Sequence, residues 1–423
     1  MKTIHICVWT LFLFTILISL PCPAQRNAPE QTVRLIYFLP KDSQPQPNIN
    51  AKINTLAKDI QQFYANEMER HGFGGKTFQL ETDRHGNIVV HRVNGRFNDS
   101  YYQNQTIDRV HEEINQHFDV SKNIYFVVIE ISTGYLDSSG LDHGKVCGRG
   151  GVIGSHGGLS LIPASGECFI GDFGLVSAAH ELGHAFGLFH DFRSITYLMS
   201  YGINRMELSE CAAEWLDVHH YFNATGDRTN RRDALIQIQH IDTLPPDSIS
   251  FDFTVTDIDG THQIQLHTPA TTAATHEAPG EPHLIGCQRF EGQRNRINFE
   301  SIIRLGAVEV TKNTQFILQV IDVKGNFTRQ EFQIDVTQYL PSPKAISVPD
   351  KNLATAVRKH LNMAADATIT QHDMLRLIEF PDSKAPLKDL TGLEYAKNLK
   401  HFSHFYGKIS DLTPLAGLTE LQY

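Results

Sequence analysis

The sequence predicts a multidomain chain of mixed class. An α/β (α+β) domain with a mixed sheet is expected over residues 25–240, an all-β sandwich over 241–340, and a run of leucine repeats over 387–423 behind a helical cap at 345–386. Three observations predict this. Strand-like and helix-period runs alternate in the first half, short alternating runs without helical period follow, and the end repeats itself at a fixed interval. A chain of 423 residues is also too long for one ordinary domain.

The first 24 residues are set apart. Met1 and Lys2 precede an apolar run from Ile4 to Leu20, followed by Pro21, Cys22, Pro23 and Ala24. A basic start, an apolar centre and a terminal small residue read as a secretory signal peptide cut after Ala24. The run is short for a membrane anchor, and no later segment is apolar enough to span. A secreted or cell-surface protein is expected. Cleavage would discard Cys7 and Cys22, leaving Cys147, Cys168, Cys211 and Cys287. An even count in an oxidising compartment implies disulfides. Four cysteines allow three pairings, among which Cys147 with Cys168 is favoured because it closes the glycine-rich loop between them. None has the Cys-x-x-Cys spacing of a structural zinc site.

Within the first domain, Val33–Leu39 is β-rich, and Ile53, Leu56, Ile60 and Tyr64 mark one face of a helix. Phe78–Glu81 and Ile88–Val93 read as short strands around a turn at His85, Gly86 and Asn87. Ile107, Val110, Ile114 and Phe118 mark a second helix. Ile124–Ile131 is long and β-branched enough for a buried central strand. The stretch from Gly134 to Gly171 is rich in glycine and reads as an irregular active-site rim, since no Gly-Lys-Ser/Thr makes it a phosphate loop.

The β-sandwich, guessed to be immunoglobulin-like, is expected from runs at Ser250–Val255, Gln263–His267, Ile297–Leu305, Gln315–Val323 and Gln330–Val336. Val348–Leu361 reads as a helix with Asp350 as N-cap. Leu387, Leu390 and Leu393 then recur 22 residues later as Ile409, Leu412 and Leu415, and Leu399 maps onto Leu421. This matches leucine-rich repeats and, with the helical cap, resembles the internalin type. About two repeats cannot bury their own face, so the stack is expected to be truncated at Tyr423.

The segment that carries chemistry is Leu175–Asp191. On a helix His180 and His184 lie one turn apart on one face, a spacing at which two imidazoles can hold one zinc ion. Glu181 lies beside them, able to reach a water without ligating. Leu175, Ala178, Leu182 and Ala185 form the opposite, packing face. Gly187 can turn the chain out of the helix through a positive φ, and His190 can then return as a third ligand, leaving a fourth position for water.

His180-Glu181-x-x-His184-x-x-Gly187-x-x-His190 resembles the extended zinc motif of the metzincin metalloproteases, and Met199 resembles their methionine turn. The resemblance covers roughly residues 32–233. It implies one catalytic zinc on His180, His184 and His190, Glu181 as general base toward a zinc-activated water, Gly187 and Met199 as structural residues near the metal, and Tyr201 as a hydrogen-bond donor to the oxyanion. Tyr201 is similar to the astacin and serralysin tyrosine, whereas Asp191 is similar to adamalysins and pappalysins. The subfamily therefore stays open.

The expected function is that of a secreted zinc endopeptidase acting on a protein or peptide substrate, with the repeat tail holding a protein or glycan partner. The rival is an exported repeat-based binding protein whose zinc domain is a non-catalytic scaffold; retention of Glu181 speaks against it. A metal-dependent amidase acting on cell-wall peptides is a third reading. The net charge of −10 gives no support for nucleic-acid binding, which calls for a clustered basic face, and the clusters at Arg231–Arg232 and around Arg289, Arg294 and Arg296 read as solvated. His143 and His156 as a second metal site, and Asp137 with Asp142 as a calcium site, are weaker candidates, and His219 and His220 are expected at the surface.

Overall fold

The computed structural model describes residues 31–137, 146–154, 157–200, 205–223, 232–244, 248–269, 282–304, 313–339, 344–377, 379–380, 386–404 and 407–421. The expected signal peptide, Tyr201, Asp142, His143 and His156 lie outside them.

Ten elements build the first region. They are β1 (Arg34–Leu39), α1 (Ile49–Arg70), β2 (Val90–Asn94), α2 (Asp99–Tyr102), α3 (Thr106–Ile114), β3 (Ile124–Ile129), β4 (Arg149–Ile153), β5 (Gly157–Pro163), α4 (Gly171–Ala185) and α5 (Glu210–Val218). The five strands form one mixed sheet in the order β2-β1-β3-β5-β4. β1 pairs parallel to β2 and β3, β3 parallel to β5, and β4 antiparallel to β5. Both faces of this sheet are covered, which is why β3 reads as an unbroken apolar run. Leu35, Tyr37, Phe126 and Val128 pack against α1 and α4 through Ile53, Ile60, Tyr64, Ala178 and Leu182. Ile36, Phe38, Tyr125 and Val127 face Tyr102, Val110 and Ile114. Each fully buried Leu, Ile, Val or Phe contributes about 1.5–3 kcal/mol.

Three expectations need correction here. Phe78–Glu81 is not a strand; among the described residues it makes a single bridge, Leu80 to Val33. The stretch from Gly134 to Gly171 is not merely a loop, because it supplies β4 and β5. Its glycines serve packing: a methyl on Gly150 would collide with the Glu181 carbonyl oxygen, and one on Gly158 would come within 2.8 Å of the Ala185 carbonyl oxygen. His220 is buried rather than at the surface, and His219 is half-buried, its ring 5.0 Å from that of Trp215.

The second region is a single sheet of β6 (Leu235–Leu244), β7 (Ser248–Pro269), β8 (Pro282–Arg304), β9 (Thr314–Asp322) and β10 (Phe327–Ile334). The runs expected as separate strands at 250–255 and 263–267 belong to one strand, β7. Its first half pairs with β6 and its second half with β9, while β8 follows it throughout. The register shifts between Thr256 and Thr261, where Gly260 sits at φ 96° and allows a bulge that bends the strand. The two halves then share one core, in which Phe251 of the first lies 5.3 Å from Phe316 beside the second.

The third region carries α6 (Lys351–His360), α7 (Gln371–Leu375), β11 (Glu379–Phe380) and β12 (His401–Phe402). Asp350 caps α6, its carboxylate accepting from the Asn352 and Leu353 amides. β11 and β12 pair in parallel, Glu379 opposite His401, at the same 22-residue offset as the leucine repeat. Leu387, Leu390, Leu393 and Leu399 are buried in one cluster with Leu353 and Val357.

Disulfides join Cys147 to Cys168 and Cys211 to Cys287. The second ties α5 to β8 of the neighbouring sheet. Among the described residues no helix is long and apolar enough to cross a membrane.

Candidate metal centre

α4 carries His180 and His184 on one side, with Ala178, Ala179, Leu182 and Ala185 buried on the other. Tyr64 of α1 fixes the helix from below, donating its hydroxyl to the Ala179 carbonyl at 2.9 Å. Gly183 faces Met199 so closely that a methyl there would lie 2.8 Å from the Met199 sulfur. Met199 is buried.

The helix ends as the glycine dictates. Gly187 has φ 86°, its amide donates to the His184 carbonyl, and the Leu188 amide donates to the Gly183 carbonyl, both at 3.0 Å. That pair of bonds is the Schellman closure. Trp215 of α5 covers the same end, its indole N–H donating to the Phe186 carbonyl at 2.9 Å. The chain then runs to His190, whose carbonyl accepts from the Leu284 amide at 2.7 Å, while the Asp191 amide donates to the Met199 carbonyl at 2.9 Å.

This path brings His190 to the other two histidines. Nε2 of His184 lies 3.1 Å from Nε2 of His180 and 3.1 Å from Nε2 of His190. Nδ1 of His180 donates to the Leu198 carbonyl at 2.7 Å, and Nδ1 of His184 to the Leu188 carbonyl at 2.8 Å. A neutral imidazole has one N–H, so these bonds place it on Nδ1 and leave both Nε2 atoms as lone pairs aimed at each other. Two lone pairs at 3.1 Å repel unless a cation lies between them. Tetrahedral ligands at zinc–nitrogen distances of about 2.0–2.1 Å sit about 3.3 Å apart, so the residues fit such an ion. Burial pushes all three imidazoles below their usual range, His184 to about 4, and the neighbouring histidines push His180 and His190 further in the same direction. All three are therefore neutral, the ligating form, at about pH 7.

Glu181 is half-buried on α4, and its side chain lies against Gly148, where a methyl would overlap it. β4 thus passes directly over Glu181 and His184. The buried Asp191 accepts two bonds from Arg193, at 2.7 and 2.9 Å, and Arg193 reaches on to Glu210 at 2.6 Å. Asp137 accepts from the Gln105 amide at 2.6 Å.

Sequence reasoning passed over Gly148, Gly150 and Gly183, whose only signal was glycine density, Tyr64, which marked only the apolar face of a helix, and Trp215, which carried no signal of its own. The carbonyls that fix the histidine tautomers carry no sequence signal.

No family model and no curated protein matches the sequence. Among solved structures, the chain is similar to wild-type OgpA from Akkermansia muciniphila, at 16% identity and a TM-score of 0.52, over 74% of this chain and 96% of that one. It is also similar to catalytically inactive OgpA from the same organism in complex with an O-glycopeptide substrate (glycodrosocin), at 16% identity and a TM-score of 0.50, over 73% and 93%. At that identity the likeness is one of fold.

Proposed function

We propose that this chain is an exported zinc endopeptidase of the metzincin type whose substrates are proteins or glycopeptides. The observation that carries the reading is the convergence of three neutral imidazoles, with Glu181 on the same helix as two of them. When bound, zinc lowers the pKa of a water and polarises the scissile carbonyl. Glu181 holds the water in line and moves its proton to the leaving amine. Met199 and Gly183 keep α4 seated, and Gly187 returns His190. β4 is the sheet edge beside Glu181, so an extended substrate can add to it as a further strand. Tyr201 is assigned to the oxyanion by its place after Met199. The glycopeptide class is suggested by the fold likeness to OgpA, one form of which binds an O-glycopeptide.

The test is hydrolysis of casein and of an O-glycosylated peptide, each beside its unglycosylated form, by the zinc-loaded chain and by Glu181→Ala. Cleavage by the first alone, abolished by a chelator, is the expected result. Equal cleavage of glycosylated and bare peptide would remove the glycopeptide class and leave the peptidase. Cleavage of none of them would remove the peptidase reading.

A further inference from the structure

The loop that carries the third histidine is held from a second direction, by the repeat region. Lys400 sits between Leu399, which is fully buried in the repeat core, and β12, which pairs with β11. Asn398 anchors the same turn, donating to the Leu375 carbonyl at 2.7 Å. From this rigid base the Lys400 ammonium donates to the Phe192 carbonyl at 3.3 Å and to the Arg193 carbonyl at 3.0 Å. These residues directly follow His190 and Asp191. The Phe192 ring lies on the His190 ring, with centroids 5.4 Å apart and planes 24° apart. The Arg193 guanidinium holds Asp191 in the two-bond pair described above.

We propose that Lys400 is a positioning residue through which the repeat region holds His190 in place. This rests on the three-histidine metal reading, and it gives the repeats a role in the centre itself. The physical reason is geometric. A ligand on a loop beyond a helix end is only as fixed as the backbone that carries it. The ammonium pins two successive carbonyls with charge-assisted bonds, and from those residues one ring covers His190 while one guanidinium fixes its neighbour. Outer contacts of this kind typically change metal affinity by about 10–100-fold when removed.

The test uses the full chain stripped of metal, with zinc affinity read by competition against a fluorescent chelator and kcat and KM measured separately. Lys400→Met should weaken zinc binding about 10-fold and lower kcat several-fold with KM unchanged, because the lost contact lies on the metal loop. Lys400→Arg should restore most of both. Lys397→Met is the matched control, since Lys397 donates to the Gly417 carbonyl inside the repeat region; it should behave as wild type. A folded Lys400→Met with wild-type zinc affinity and kcat overturns the proposal. If Lys400→Met does not fold by circular dichroism, Lys400→Gln, whose side chain is uncharged and one atom too short to reach both carbonyls, takes its place: weakened zinc binding supports the proposal, and wild-type affinity and kcat overturn it. Failure of the metal reading itself would look different, because wild type would then bind zinc no better than His190→Ala.

Discussion

Leaving aside Glu210 beside the disulfide-bonded Cys211 and Cys287, two clusters of potential metal ligands among the described residues solve their electrostatics in opposite ways. His180, His184 and His190 converge in the first region; Asp257, Asp259 and Asp322 converge where β7 bulges and β9 ends, again with ligand atoms within 4.8 Å of one another. The aspartates are supplied from their own surroundings. Lys324 Nζ lies 2.9 Å from Asp259, the Lys324 and Asn326 amides and the Asn326 side chain all donate to Asp322 at 2.8 Å, and the Asp259 amide donates to Asp257 at 2.9 Å. In the histidine cluster, protein groups meet Nδ1 and leave the Nε2 lone pairs of His180 and His184 facing inward. Burial moves both sets toward neutrality, raising Asp257 and Asp322 and lowering the histidines. A neutral imidazole is the better ligand, whereas a protonated carboxyl is the worse one. Carboxylates already met by protein donors, as at Asp322, are thereby poorer metal ligands than their closeness suggests.

The largest expected effect falls on Glu181. Glu181→Ala should lower kcat by about 100-fold or more while zinc content stays at the wild-type level, read by steady-state hydrolysis beside elemental analysis. Loss of zinc in that variant would make Glu181 a ligand and break the division of labour on α4.

Gly187→Ala comes next. At φ 86° an alanine costs about 1–2 kcal/mol. The nearest atoms its methyl would meet are Val152 Cγ2 at 3.4 Å and Trp215 Nε1 at 3.6 Å, so the penalty is conformational. Calorimetry should show a lower Tm, and chelator competition should show weaker zinc binding as His190 is displaced. An unchanged Tm would mean that the loop reaches His190 without the left-handed turn.

The smallest effect separates the two clusters. Asp257 has its carboxyl raised by burial and by the neighbouring Asp322 and Asp259. A raised acid makes folding most favourable at low pH, and that advantage is lost as pH rises through the folded-state value. Asp257→Asn should therefore be more thermostable than wild type at neutral pH, by about 1 °C in Tm for a chain of this size, with the gap closing near about pH 4. The same substitution should leave zinc content unchanged. A fall in bound metal would make the aspartate cluster a second site.

What the sequence reveals depends on how local the physics is. Asp350 as N-cap and the turn at Gly187 each follow from a few neighbouring residues, and the structure places them accordingly. The one-turn spacing of His180 and His184 is local in the same way. The glycines at 148, 150 and 158 were legible only as a loop, because their reason is the approach of β4 and β5 to α4, which no local pattern encodes. The long bent β7 read as two short strands because a bulge interrupts the period of two without ending the strand. His220 looked like surface because a polar side chain carries no sign of the core built around it. Lys400 looked like any lysine, since its partners Phe192 and Arg193 lie in another region of the chain.

The central claim is that three imidazoles hold one zinc ion. Its most direct test is zinc stoichiometry by elemental analysis after metal-free purification and reconstitution, for wild type, His190→Ala and Asp257→Asn. The account predicts about one zinc per chain in wild type and Asp257→Asn, with most of it lost in His190→Ala. Zinc retained in full by His190→Ala, or absent from wild type, would contradict it.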